Sequence, residues 1–437
     1  MLTENNATAR HKGFLRYFKN TSWMMAEQGL RLISGLFVGI WVARYLGPEQ
    51  FGIFSYALAF TAIFAGIAKL GLDGIIVREL VNQPLRRDQL MATAFWLKII
   101  GACMVMALMA LILPFMSSDK ITNIYISIIA AGLLFQSFEI VEFYFQSQVM
   151  AKFVSICKVV QLFISSLIKI ALVIMQADLL WFVLVVLFDT IILALSYIAA
   201  YKYNKLKLPL LNFDMKVAKS LLHDCWPLIF ASVVTMIYMR IDQVMIKQML
   251  GDYEVGIYSA AVRLSEVVYF IPVIISASIF PAILNAKKVS STLYVKRFRQ
   301  LYAFMIWLAI SIALATSLLG EFVVSMLYGS AYVEAAQVLI IHTWSAVFVF
   351  LGVAFSKYLL AENLTKIDFL RTLAGAVFNV LLNLWLIPLH GVVGAAIATL
   401  ISQFIVNVAY DFFDKRLHKQ LKIKIEAFFM PWKVFIN

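Results

Sequence analysis

Over and over this chain runs for about twenty residues with hardly a charge, the length of α-helix that crosses the hydrocarbon core of a bilayer. The stretches lie near 20–43, 51–72, 92–114, 121–145, 153–175, 179–201, 223–246, 255–284, 300–320, 335–360, 367–388 and 391–413. No soluble core hides that much apolar surface, and within lipid a backbone must satisfy its own hydrogen bonds. Of the 437 residues, 63% are hydrophobic and 14% are charged, against about 25% charged in an average soluble domain. The expected fold class is all-α: a polytopic membrane protein with twelve transmembrane helices. Pro272 and Pro281 predict a kink in the long eighth stretch.

Lysine and arginine set an orientation. With the N-terminus in the cytoplasm, one side collects Arg10, Lys12, Arg16 and Lys19, then Arg78, Arg86 and Arg87, then Lys202, Lys205, Lys207, Lys216 and Lys219. The same side receives Lys287, Lys288, Lys296, Arg297 and Arg299, and the C-terminal Lys415, Arg416, Lys419, Lys422, Lys424 and Lys433. The opposite loops hold Arg44, Lys120 and Lys247. This positive-inside pattern predicts an even number of spans with both termini cytoplasmic. It also accounts for the net charge of +13 without nucleic acid. The basic N-terminal stretch shows no cleavable signal pattern, so the first apolar run is expected to stay as an anchor. After Asp411 the tail mixes basic residues with Phe428, Phe429, Trp432 and Phe435, and is expected to lie on the cytoplasmic leaflet.

The chain repeats once. Leu46-Gly47 … Gly52-Ile53-Phe54-Ser55 returns as Leu250-Gly251 … Gly256-Ile257-Tyr258-Ser259, always 204 positions later (250 − 46 = 204; 259 − 55 = 204). Each copy joins the first two spans of a six-span set. The expected organisation is an N-terminal six-helix half (1–207), a C-terminal six-helix half (208–414) and a basic tail (415–437), with the substrate path between equivalent halves.

Three segments carry a family resemblance: Ala43-Arg44-Tyr45-Leu46-Gly47-Pro48-Glu49-Gln50-Phe51-Gly52, then Gly71-Leu72-Asp73-Gly74-Ile75-Ile76-Val77-Arg78-Glu79-Leu80, and Trp226-Pro227-Leu228 through Arg240-Ile241-Asp242-Gln243 to Gly256-Ile257-Tyr258-Ser259-Ala260-Ala261. Together they resemble the Wzx-type O-antigen flippases of the multidrug/oligosaccharidyl-lipid/polysaccharide (MOP) superfamily. The last third resembles them through topology and Gly394-Ala395-Ala396-Ile397-Ala398-Thr399. The resemblance implies a MATE/MOP-like fold in a bacterial inner membrane. It also implies movement of an undecaprenyl-pyrophosphate-linked oligosaccharide from the cytoplasmic to the periplasmic leaflet, with a glycan polymerase and a chain-length regulator as partners. No cofactor is implied.

Charges within the apolar stretches point to a wet cavity, because each costs at least about 2.5–3.5 kcal/mol at the bilayer centre unless it faces water or a partner. The bases are Arg31, Lys69, Lys98, Lys169, Arg240 and Arg263; the acids are Glu27, Glu139, Glu142, Asp189, Asp242 and Glu266. Glu27 and Arg31 are spaced to pair, as are Arg263 and Glu266. Arg240 and Asp242 point opposite ways on a helix, so each needs an outside partner. Arg31, Lys169, Arg240 and Arg263 form a candidate cationic path for pyrophosphate, with Arg240 foremost because a guanidinium binds phosphate through a fork. Glu139 and Glu142 share a face, which either holds one proton between them or reaches the cytoplasmic interface. Asp189 and Glu142 are the candidates for ion coupling. Asn379 and Asn383 are assigned to helix–helix hydrogen bonding.

Other chemistries lack their residues. There is no G-x-x-x-x-G-K-[ST] phosphate loop, no H-E-x-x-H and no G-x-S-x-G. Three scattered cysteines and five dispersed histidines make no disulfide framework or metal cluster. An enzyme is not expected. The alternatives are a drug/cation antiporter of the same fold, or a membrane glycan polymerase or ligase, which would be expected to carry a larger outer loop.

Overall fold

The structure, a computed structural model, describes residues 2–116 and 119–429, with side chains from residue 20 onward. Trp432 and Phe435 lie outside the described residues. Among those described there are helices and turns and no strand. In chain order the helices are α1 (Leu2–Ala68), α2 (Leu72–Asn82), α3 (Arg87–Met116), α4 (Lys120–Phe135), α5 (Ile140–Ser147), α6 (Ala151–Ile174) and α7 (Leu179–Tyr203). There follow α8 (Met215–Met249), α9 (Asp252–Val268), α10 (Phe270–Val289), α11 (Ser291–Tyr328), α12 (Ala335–Ala361), α13 (Thr365–Asn407) and α14 (His418–Phe429).

Among the described residues, ten segments are long and apolar enough to cross a membrane. Two of them are too long to be single spans. Asn20–Asn82 has 63 residues and Thr365–Phe412 has 48, whereas about 20 suffice for one crossing. Each bends at a glycine with a conformation that other residues rarely adopt: Gly47 at φ 71° and Gly391 at φ 59°. Pro48 follows the first bend as a helix starter. Dividing these two segments at their bends gives twelve (10 + 2), consistent with the count from the apolar stretches. The eighth span breaks between Val268 and Phe270. The reason is Pro272, whose ring crowds the carbonyl four residues back, at Val268.

Two compact units can be distinguished. The first gathers the described residues up to Tyr45 with Ala57–Val233; the second gathers Leu46–Tyr56 with the described residues from Val234 onward. In the first, Leu72, Ile76, Met91, Ile140, Phe145 and Tyr201 are fully buried in one apolar cluster. In the second, Phe298, Tyr302, Phe350, Phe355 and Leu417 form another.

The C-terminal helix docks on the bundle through one face: α14 buries Gln420, Leu421, Ile423, Lys424 and Ala427. Lys424 and Asp411 are both buried and pair at 2.6 Å. Lys424 also donates to the Asn407 carbonyl, Tyr302 donates to Gln420, and Arg299 pairs with Glu426. Polar contacts to the bundle therefore hold α14.

Candidate functional site

In the first unit α1 and α6 run side by side in one register. Asn20 Oδ1 accepts from the Ala151 amide, Ser34 and Ser166 share a hydrogen bond of 2.9 Å, and Tyr45 Oη donates to the Ala177 carbonyl. The sequence offsets are 131, 132 and 132, so the two helices are parallel. Arg31 and Lys169 each sit three residues from the serine contact, in opposite senses, and so differ in height by about 9 Å at 1.5 Å per residue.

Neither cation is free. Arg31 Nε donates to Glu27 at 2.8 Å, as its spacing predicts, and the arginine side chain is 47% exposed. Lys169 Nζ lies 2.8 Å from Ser165 Oγ and 3.2 Å from Asp189 Oδ2, and Ser165 donates to the same carboxylate oxygen at 2.9 Å. Two residues singled out for different roles thus form one ion pair. Asp189 Oδ1 is buried without a hydrogen-bond partner. Glu142 is held from three sides: Lys158 at 2.6 Å, Tyr197 Oη at 2.5 Å and Gln146 Nε2 at 3.0 Å. Glu139 takes a different partner, Lys98, at 2.7 Å.

In the second unit the opposite headings of Arg240 and Asp242 along α8 hold. Arg240 presents its fork to Glu266 on α9, with Nη1–Oε1 at 3.3 Å and Nη2–Oε2 at 3.4 Å. Glu266 therefore pairs with Arg240 and not with Arg263, the neighbour its spacing favours. Helix spacing offers only a local choice, whereas packing α8 against α9 brings Arg240 across. Arg263, partly buried on α9, has no ion pair or hydrogen bond among the described residues.

Asp242, expected to need an outside partner but not among the candidates for ion coupling, finds its partners here. It is 5% exposed and has no cation against it. Three neutral groups donate to it: Tyr258 Oη at 2.6 Å, Asn383 Nδ2 at 2.6 Å and Thr399 Oγ1 at 2.7 Å. Asn379 Oδ1 in turn accepts from Asn383 at 3.1 Å. Asn379 Nδ2 and Asn383 Oδ1 are buried without partners. A buried carboxylate compensated only by dipoles, beside an orphaned amide oxygen, suits a proton or a small cation. A signal was available: the two asparagines lie one helical turn apart within an apolar stretch.

Comparison with known proteins bears on this geometry. The polysaccharide biosynthesis protein family matches residues 17–287, the region of the first eight spans. The chain is similar to the capsular polysaccharide biosynthesis protein CapF of Staphylococcus aureus, with 23% identity over 408 residues, 91% of this chain and 99% of that one. It is similar to "Probable flippase AglR" of Haloferax volcanii, with 25% identity over 391 residues, 86% of this chain and 78% of that one. Its fold is that of an inward-facing multidrug resistance MATE family transporter of the MOP superfamily, with a TM-score of 0.72, 15% identity and coverage of 90% and 95%.

Proposed function

We propose that this chain, which belongs to the polysaccharide biosynthesis protein family, is a transporter that moves a lipid-linked oligosaccharide across the membrane. The cargo is an undecaprenyl-pyrophosphate-linked repeat unit, O-antigen or a similar glycan such as a capsular one. It passes from the cytoplasmic to the periplasmic leaflet of a bacterial inner membrane. A glycan polymerase and a chain-length regulator act next on the product. The observation that carries the reading is Arg263, a guanidinium in a membrane-spanning helix with no salt bridge or hydrogen bond among the described residues, the nearby Glu266 being engaged by Arg240. Such a group has its whole fork available to a phosphate. Arg240 lies beside it with its fork engaged by Glu266; Arg31 and Lys169, also paired, stand as further steps of the cationic path.

The energy comes from an ion gradient through alternating access. Asp242 is the coupling group, since binding of a cation there neutralises a buried charge that nothing else neutralises. Asp189 and Glu142, each already beside a lysine, tune the first unit. A drug antiporter of the same fold would want acids facing its cargo; Asp242 is buried among neutral donors, and the group left without a salt bridge beside Arg240 and Glu266 is a base, Arg263.

Deletion of the gene tests the reading. Cells are expected to accumulate the lipid-linked glycan on the cytoplasmic leaflet and to lose the surface polysaccharide. Normal surface polysaccharide and no accumulating precursor would overturn it.

A further inference from the structure

The first unit contains a cavity of about 400 Å3 that the cationic path does not use, in the size range of small-molecule sites. It opens among the end of α1, α2, α5 and α6. Lys69, Asp73, Glu139, Glu142, Gln146 and Lys158 supply its polar wall, and Phe143 an apolar one. Its charges are balanced. Lys158 is spent on Glu142 at 2.6 Å. Lys98, which stands over the Phe143 ring, is spent on Glu139 at 2.7 Å. That leaves one cation and one anion. Lys69 has no ion pair among the described residues. Asp73 is half exposed, and its nearest cation is Lys98 at 3.9 Å.

This balance selects against charged ligands. A pyrophosphate finds one unspent cation and an unspent acid beside it. A cationic drug finds the reverse. A neutral polyhydroxyl ligand suits the wall, because each hydroxyl both donates and accepts. Carboxylate oxygens of Asp73 and Glu139 accept, the ammonium of Lys69 donates, and the Gln146 amide offers one of each. The apolar face of a sugar ring packs on Phe143.

We propose that this cavity is a sugar subsite, which takes a neutral sugar unit of the cargo while the pyrophosphate is held elsewhere. The proposal rests on the translocation reading above and deepens it: specificity for the glycan resides in this cavity, apart from Arg240 and Arg263.

The test compares two probes on the full chain in lipid nanodiscs. One is the glycolipid isolated from cells deleted for the gene; the other is undecaprenyl pyrophosphate, which lacks the sugar. Two variants alter the cavity in different ways. Asp73→Asn removes the unspent acceptor charge. Gly74→Leu plugs the space, and does so without a clash at its base, because a β-carbon at Gly74 meets nothing within 4 Å. Each variant is expected to weaken the glycolipid about ten-fold, the worth of a lost hydrogen bond to a charged group, and to leave undecaprenyl pyrophosphate unchanged. Equal losses on both probes, or no loss on either, would overturn the subsite. Wild-type protein that binds neither probe overturns the translocation reading itself, and the subsite with it.

Discussion

A β-carbon on Gly52 would stand 1.8 Å from the carbonyl oxygen of Asp252. The contact is reciprocated: a β-carbon on Gly256 would stand 1.9 Å from the carbonyl oxygen of Pro48. These are the two copies of the internal repeat, crossing backbone to backbone as small residues allow helices to do. Tyr56 and Gln248 meet across the same crossing, and Lys247 pairs with Asp252 beside it. The crossing explains why Leu46–Tyr56 packs with the second unit.

Gly52→Ala and Gly256→Ala should each lower the melting temperature of the purified protein, because the backbone opposite cannot retreat as a side chain can. Overpacking of this kind costs about 1–3 kcal/mol. Gly35→Ala is the control, since a β-carbon there meets nothing within 4 Å; it should leave melting unchanged or raise it. Equal melting of all three variants would remove the close crossing from the account.

The two arginines of the second unit should respond in opposite ways. Arg263→Ala breaks no ion pair, so protein levels should hold while transport falls at least about ten-fold, the loss of one charge-assisted contact. Arg240→Ala strips Glu266 of its partner and should lower protein levels as well, with Arg240→Ala/Glu266→Ala recovering them. Membrane levels measured beside surface-polysaccharide complementation decide it. The opposite order would restore Arg240 as the main phosphate ligand.

Asp242→Asn should abolish dependence on the ion gradient while the protein stays folded, because it removes a buried charge without changing shape. Melting should not fall, since an uncompensated buried charge is a cost. Transport that still follows the gradient would move coupling to Asp189.

Lys424→Met should destabilise the second unit by about 3–5 kcal/mol, the cost of leaving one partner of a buried ion pair alone. Lys424→Met with Asp411→Leu should recover most of that loss in thermal melting. If Lys424→Met is harmless, α14 is not held by this pair.

The apolar stretches and the position of Pro272 made the helical fold legible, because span length and backbone breakers act locally. The Glu27–Arg31 pair was legible for the same reason. What escaped depends on contacts between distant segments. Glu266 goes to Arg240, 26 positions away, and Lys169 meets Asp189, 20 positions away; helix spacing shows neither. That Asp242 needs an outside partner was legible from its heading on α8; which partners it takes was not, because its donors sit on α9 and α13. The docked face of α14 had a signal in Gln420, Leu421, Ile423, Lys424 and Ala427, spaced as one helix face, which the surrounding positive charge obscured.

The most direct test of the central claim is translocation by the purified protein. The protein is placed in vesicles with the glycolipid that accumulates in deletion cells, and a cation gradient is imposed. The fraction of glycan that becomes accessible to an enzyme outside is followed with time. The account predicts accessibility that rises with the gradient, is lost in Arg263→Ala, and no longer follows the gradient in Asp242→Asn. Accessibility no greater than in protein-free vesicles, under any gradient, would contradict it.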